Sequence, residues 1–256
     1  MRQTSRIVGW SVERRPIRAY VLGELRTTRR RQERRVRSTS EPDREERPQQ
    51  PTDSCLGLLF GAIHGDEPMT AYVMTRLVSA LQEAEGDAFK GDLPPRTVVI
   101  LPVVNPDGLA RRTRRNARGV DLNRNFPTKD WAPGDARRRN YGGPKPLSEP
   151  ESRTLYRLVL RLRPRWIVAV HTINRGRFCN NYDGPGEKLA RAFAACNGYP
   201  VTASIGYPTP GSFGTWAGRE RGIPVLTLEL PSHHSRQRCW SDNEAALSNV
   251  LFRWMT

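Results

Sequence analysis

Three things are nearly missing from this 256-residue chain: long apolar runs, paired cysteines and lysine. No apolar stretch approaches the ~20 residues of a helical membrane span, so no membrane partner is expected. The opening MRQTSRIVGWSVERRPIRAY has no apolar core of signal-peptide length, and the expected location is therefore cytoplasmic. Cys55, Cys179, Cys196 and Cys239 contain no C-x-x-C pair, which argues against a cysteine-held metal or a disulfide frame and for reduced thiols. Lysine is so scarce that nearly all of the 42 basic residues are arginine; with 26 acidic residues the formal charge is +16. Such a charge suits nucleic-acid binding or the steering of anionic substrates into a cleft. It also suits a genome-wide arginine bias without functional meaning. No nucleic-acid-binding module pattern accompanies it, and the arginines between Arg29 and Arg35 are mixed with acid, so nucleic acid is the least favoured partner.

Large apolar side chains are scarce in an uneven way. Hydrophobic residues make up 37% of the chain, yet residues 26–54 hold almost none and are dense in Arg, Glu, Pro, Gln and Ser. A stretch of that kind cannot bury enough surface to offset the entropy of ordering, so it reads as a charged, disordered insert. The rest is long enough for one core, which makes 1–256 a single domain interrupted by that insert.

What is there alternates between strands and helices. Ile17–Leu22, Leu56–Ala62, Thr97–Val104, Trp166–Val170 and Val225–Leu230 are short, β-branched or apolar runs of buried-strand type. Met69, Val73, Leu77, Ala80 and Ala84 recur at helical spacing from just after Glu67. Ser148 and Glu151, around Pro150, form a capping-box pattern for a helix through Leu162, and Ser241 with Glu244 does the same for a C-terminal helix. Lys188–Asn197 reads as a helix stopped by Gly198. The fold class expected is α/β, a mixed, mainly parallel central sheet flanked by helices.

The polar residues fall at strand ends. His64 follows one strand, His171 ends another, and Glu229 sits inside the last, where sheets of this kind gather their ligands. His64-Gly-Asp-Glu67 puts two donors on one tight turn leading into a helix. Alone, that pattern is as readily a polar turn that favours the helix dipole as a metal site. A third donor would have to come from elsewhere, and His171 is the natural candidate. His233 and His234 are adjacent on an extended loop, point apart, and read as surface histidines.

The segments GAIHGDEP (61–68), NPDG (105–108), RRNARGVDLNRNFP (114–127), KPLSEPES (145–152), VAVHT (168–172), IGYPTPGSFGTW (205–216) and VLTLELP (225–231) occur in that order. This series resembles the M14-type zinc carboxypeptidases, and within them the bacterial murein peptide amidases. The resemblance implies a zinc carboxypeptidase-like fold and one Zn2+ ion held by His64, Glu67 and His171. It implies that Glu229 acts as general base on the attacking water and then delivers the proton to the leaving amine. Asp121 matches the acid that orients the first histidine ligand. Asn123 and Arg124 match the pair that grips the terminal carboxylate of the substrate. Arg114 aligns with the arginine that polarises the scissile carbonyl, although Arg111, Arg112 and Arg115 crowd the same stretch. Tyr207 lies where a tyrosine closes over bound substrate.

The implied substrate is a small peptide with a free carboxylate, cut at the γ-D-glutamyl–meso-diaminopimelate bond. Two alternatives share the chemistry, a general metallocarboxypeptidase and a deacylase of small N-acyl amino acids. A third, more distant, is a basic nucleic-acid-binding protein with a relic site. The segment after His171, TINRGRFCNNYDGPGEK, departs from the family pattern in a region expected to line the pocket. Oligomeric state is not legible in the sequence.

Overall fold

The computed structural model describes residues 3–22, 56–84, 97–174 and 176–252; the insert expected at 26–54 lies outside them. The strands are β1 (Gln3–Trp10), β2 (Pro16–Leu22), β3 (Leu56–Phe60), β4 (Thr97–Leu101), β5 (Trp166–Ile173), β6 (Cys179–Asp183), β7 (Val201–Thr202) and β8 (Val225–Pro231). They form one sheet in the order β1-β2-β4-β3-β5-β8-β6-β7. The pairs β3–β4, β3–β5, β5–β8 and β6–β7 are parallel, whereas β1–β2, β2–β4 and β6–β8 are antiparallel. The mixed, mainly parallel sheet expected from the sequence is the one observed.

Helices α1 (Pro68–Ala84), α2 (Pro106–Arg111), α3 (Pro150–Leu162), α4 (Glu187–Asn197) and α5 (Arg236–Phe252) accompany it. Side chains alternate between the faces of a strand, and the central strands are apolar on both. Leu59, Val168, Val170, Leu226 and Leu228 pack with Val73, Met74 and Leu77 of α1 and with residues of α4 and α5. Leu58, Phe60, Ile167, Ala169 and Val225 pack on the opposite face with Leu155 and Val159 of α3, and with Phe126, Phe213 and Trp216. Continuing the alternation, His171 follows Ile167 and Ala169, and Glu229 follows Val225. Both therefore emerge on the second face.

Several boundaries differ from the sequence reading for physical reasons. β3 stops at Phe60, because Ala62 takes a left-handed φ of 46° and its backbone N–H turns to Thr70 Oγ1 at 2.8 Å. β4 likewise stops at Leu101, and Val104 N donates to Gly61 O. β5 runs past His171 to Ile173 because β8 pairs with it that far. The capping box at Ser148 and Glu151 does not form. Glu149 is the N-cap, while Ser148 Oγ accepts from Asn125 and the Glu151 carboxylate accepts from Val12 N and Asn116. Ser241 lies inside α5 rather than at its start, and Ser235 Oγ takes the N–H of Arg238 in the first turn.

An aromatic cluster under the second face carries the site's loops. Trp216 is fully buried, with its ring 5.5 Å from Phe126 and 4.9 Å from Tyr156, and the Arg221 guanidinium 4.2 Å above it. Phe213 sits edge-on to Phe60 at 4.9 Å, and its backbone N–H donates to Asn123 Oδ1 at 2.8 Å. Replacing Trp216 with alanine is expected to cost about 3–5 kcal/mol through cavity formation, read as a lower urea midpoint at unchanged slope. A midpoint equal to wild type would show that the cluster is not the support this packing describes.

Candidate metal centre

The turn after β3 is short and tied at both ends. Thr70 N and Thr70 Oγ1 both donate to Glu67 O, at 3.1 and 2.8 Å, which sets the first turn of α1 and leaves the Glu67 side chain facing back toward His64. Asn105, the N-cap of α2, donates from Nδ2 to Ile63 O and to Arg114 O, at 3.3 and 3.4 Å. That residue joins the histidine turn to the arginine segment. The NPDG motif carried the signal for it, but no role was assigned to Asn105 from sequence.

His64 Nδ1 lies 2.9 Å from Glu67 Oε1, and His171 Nδ1 lies 3.3 Å from Glu67 Oε2. The ligand atoms of His64, Glu67 and His171 all fall within 4.8 Å of one another, and all three residues are buried. Thr172 N donates to Glu67 Oε2 at 3.0 Å, holding the carboxylate against β5. Behind His64, Asp121 Oδ1 is 3.0 Å from Nε2 and also accepts from Asn123 N. Asp121 Oδ2 accepts from Arg114 Nε at 2.9 Å. Nε2, held by a carboxylate, carries a proton, so Nδ1, 2.9 Å from Glu67 Oε1, is the nitrogen that can give its lone pair to a metal once its own proton is lost. Two imidazoles and a carboxylate, buried and convergent, form a donor set that fits zinc with an open position.

The charges are strongly coupled. Burial alone would raise Glu67, but His64 and His171 outweigh it and hold its carboxyl well below the usual range. Asp121 is likewise depressed, burial being overcome by His64, Arg114 and Arg124. Burial would lower His64, yet Glu67 and Asp121 carry it above its ordinary value. His171, with one carboxylate partner, stays below its ordinary value because burial prevails.

Glu229 is in register with His171 across the β5–β8 pair and is 6% exposed. Burial, with the charge of Glu67 adding to it, pushes its carboxyl up to about 8. Across the β6–β8 pair it faces Cys179, whose thiol is pushed up to about 12 by burial and by Glu229.

Among the four arginines that crowd one stretch, Arg114 alone reaches the cluster; its Nη1 lies 3.5 Å from Glu67 Oε1. Arg111 pairs with Glu13, Arg112 ends α2 in a left-handed conformation, and Arg115 donates to Ala136 O. Asn123 and Arg124 follow Asp121 in one tight 3-10 turn. Arg124 is 7% exposed, donates from Nη1 to Asn123 O, and has no hydrogen-bond partner at Nε. A cavity of about 410 Å³ opens beside Arg124 and is also lined by Arg138, Asn140 and Pro210; the donor residues and Glu229 do not line it. Tyr207 is 50% exposed and does not line that cavity. His233 is exposed, while His234 is half-buried with Nδ1 3.5 Å from Asp242, away from the donor set.

Comparison with known proteins adds to this geometry. A family model described as zinc carboxypeptidase matches residues 2–182. Murein peptide amidase A of Escherichia coli (strain K12) is 35% identical over 209 residues, covering 77% of this chain and 79% of that protein. Gamma-D-glutamyl-L-diamino acid endopeptidase 1 of Lysinibacillus sphaericus is 27% identical over 172 residues, covering 53% and 42%. Among solved structures, the murein-tripeptide amidase from Escherichia coli O157 superimposes with a TM-score of 0.67 at 26% identity, over 98% of this chain and 92% of that one. Carboxypeptidase A from Helicoverpa armigera shares the fold, with a TM-score of 0.70 at 19% identity over 96% and 67%.

Proposed function

The chain belongs to the zinc carboxypeptidase family, and on that premise we propose that it hydrolyses the γ-D-glutamyl–meso-diaminopimelate bond of murein peptides. The observation that carries the hydrolytic part is the placement of Glu229 beside His171 in register, next to three buried donors whose ligand atoms lie within 4.8 Å of one another. His64 Nδ1, Glu67 and His171 Nδ1 are proposed to hold one zinc ion. When bound, that ion supplies Lewis-acid polarisation and acidifies water.

The remaining work falls to the chain. Glu229 accepts the proton of the attacking water at its carboxylate and passes it to the leaving amine; a carboxyl raised by burial is suited to hold a proton between the two steps. Arg114, anchored through Nε to Asp121 and with Nη1 3.5 Å from Glu67 Oε1, brings its guanidinium to the donor cluster for the oxygen that gains charge. Arg124 brings a buried guanidinium with a bare Nε, which is the unmet demand for an anion that a terminal carboxylate satisfies. Asn123, with Oδ1 already used by Phe213, offers its amide N–H groups to the same carboxylate. Tyr207, half exposed, is proposed to fold over the bound residue and exclude water.

The murein assignment is supported by what the amidase and endopeptidase relatives are named for and by the net charge of +16, which draws polycarboxylate peptides toward a basic surface. A cytoplasmic location, which suits the free thiols of Cys179, Cys196 and Cys239, makes this recycling of wall fragments. Among the described residues, no helix is long and apolar enough to cross a membrane.

The test is product analysis by mass spectrometry after incubating zinc-loaded protein with L-Ala-γ-D-Glu-meso-diaminopimelate, ordinary L-peptides and N-acyl amino acids. Free diaminopimelate is expected from the first substrate, with loss of release on chelation and recovery on adding zinc. Cleavage confined to L-peptides or to acyl amino acids would overturn the murein reading and keep the hydrolytic one.

A further inference from the structure

β6 carries a polar side chain that none of the roles above uses. Asn181 is 7% exposed, and its Oδ1 is buried without a hydrogen-bond partner. A bare buried amide oxygen costs about 1–3 kcal/mol, so a chain that keeps one next to its reactive residues is poised to receive a donor from outside.

The register places this oxygen. β6 is antiparallel to β8, with Cys179 opposite Glu229, Asn181 opposite Thr227 and Asp183 opposite Val225. Residues directly opposite share a face, and residues two apart share it again. Glu229, Thr227, Cys179, Asn181 and Asp183 therefore lie on one face, with Thr227 only half-buried. Across from them runs the segment that holds Asn123. Phe213 N is bonded to Asn123 Oδ1, and the next residue, Gly214, packs so closely on Asp183 that a Cβ there would overlap its Oδ2. The face thus runs from Glu229 through Thr227 and Asn181 to Asp183, where the Phe213–Gly214 segment bonded to Asn123 packs against it. A residue whose carboxylate is held by Arg124, and whose amide is cut beside Glu229, would send its own side chain along this face.

We propose that Asn181 is a specificity-determining residue that selects, on the residue released by hydrolysis, a side chain carrying an ammonium group. The proposal rests on the hydrolytic reading above and not on the murein assignment. An amide oxygen accepts and so calls for an N–H donor. Glu229 and Asp183 put further acceptor oxygens on the face it shares with them. The guanidinium of Arg219 at that end is already committed to Asp183, 2.7 Å from Oδ1. Thr227 is two residues along from Glu229, about 6.6 Å, which suits an amine carried three or four carbons beyond Cα and excludes short side chains.

The experiment compares kcat and KM of wild type, Asn181→Leu and Asn181→Asp on two substrates with one acyl group, ending in diaminopimelate or in 2-aminopimelate, which lacks only the distal amine. A second pair, acyl-lysine and acyl-norleucine, is run beside it. Wild type is expected to favour the amine in each pair it cleaves. Asn181→Leu is expected to lose roughly tenfold or more in kcat/KM for the amine, chiefly through KM, and to stay within about twofold on the partner lacking it. Asn181→Asp, which keeps the acceptor and adds charge, is expected to preserve or sharpen the preference, and it reads the role even if the leucine variant does not fold. Equal losses on both members of a pair, or no amine preference in wild type, would overturn the proposal. Failure of the murein reading has a separate signature, namely no cleavage of the γ-glutamyl pair while the lysine pair still reports on Asn181.

Discussion

Replacing Glu229 with glutamine is expected to lower turnover by roughly a hundred- to ten-thousand-fold while zinc content stays at the wild-type level. The amide is isosteric with the carboxylate, so the β5–β8 register and the packing around Cys179 are kept. What is lost is an oxygen that can take and release a proton, and general acid–base catalysis is worth about that range. In barrier terms the range is about 2.7–5.5 kcal/mol. Glu229 does not belong to the set of three donors, so metal binding and turnover separate cleanly. Atomic absorption on the purified variant, with steady-state kinetics on the same preparation, reads both quantities. Wild-type turnover would remove Glu229 from the chemistry; loss of zinc along with turnover would make its role structural.

Asp121→Asn is expected to weaken zinc binding by about 10–100-fold and to destabilise the fold by about 3–5 kcal/mol. Asp121 is fully buried and accepts from three donors: His64 Nε2, Asn123 N and Arg114 Nε. An asparagine has one oxygen and one NH2 in their place. If the NH2 faces Arg114, two donors meet and the guanidinium, which does not deprotonate, is left without its partner. If it faces His64, Nε2 must become an acceptor and the proton moves to Nδ1, the nitrogen that points at Glu67. Either arrangement damages the donor set, although Asp121 itself is not one of the donors. Competition with a chromogenic chelator measures the affinity, and thermal melting of the metal-free protein measures the stability. Unchanged affinity would show that His64 needs no second partner.

The two substitutions probe different links of one chain of causes. Glu229 tests what a side chain does once placed; Asp121 tests how the placement is held. Trp216 lies further back, since its packing against Phe126 and Phe213 carries the segment whose N–H holds Asn123.

The sequence by itself determined the alternation of strands and helices, the α1 boundary after Glu67, the Gly198 stop of α4, and the residues that converge on the donor cluster. These were legible because each rests on local spacing: apolar periodicity for the elements, and short ordered segments for the candidate site. It misassigned both capping boxes: Ser148 and Glu151 have partners elsewhere in the fold, and α5 already starts at Arg236, so Ser241 lies inside it with its Oγ donating to Arg238 O. It passed over β6, since Asn180, Asn181 and Asp183 disfavour a strand and the segment is held in the sheet by β8 and β7. Resemblance pointed to Arg114, but spacing alone did not separate it from Arg111, Arg112 and Arg115; the turn after α2 is what makes Arg114 face Asp121. The bare oxygen of Asn181 belongs to the same class. A missing partner is a property of everything that packs around an atom, and no spacing along the chain encodes it.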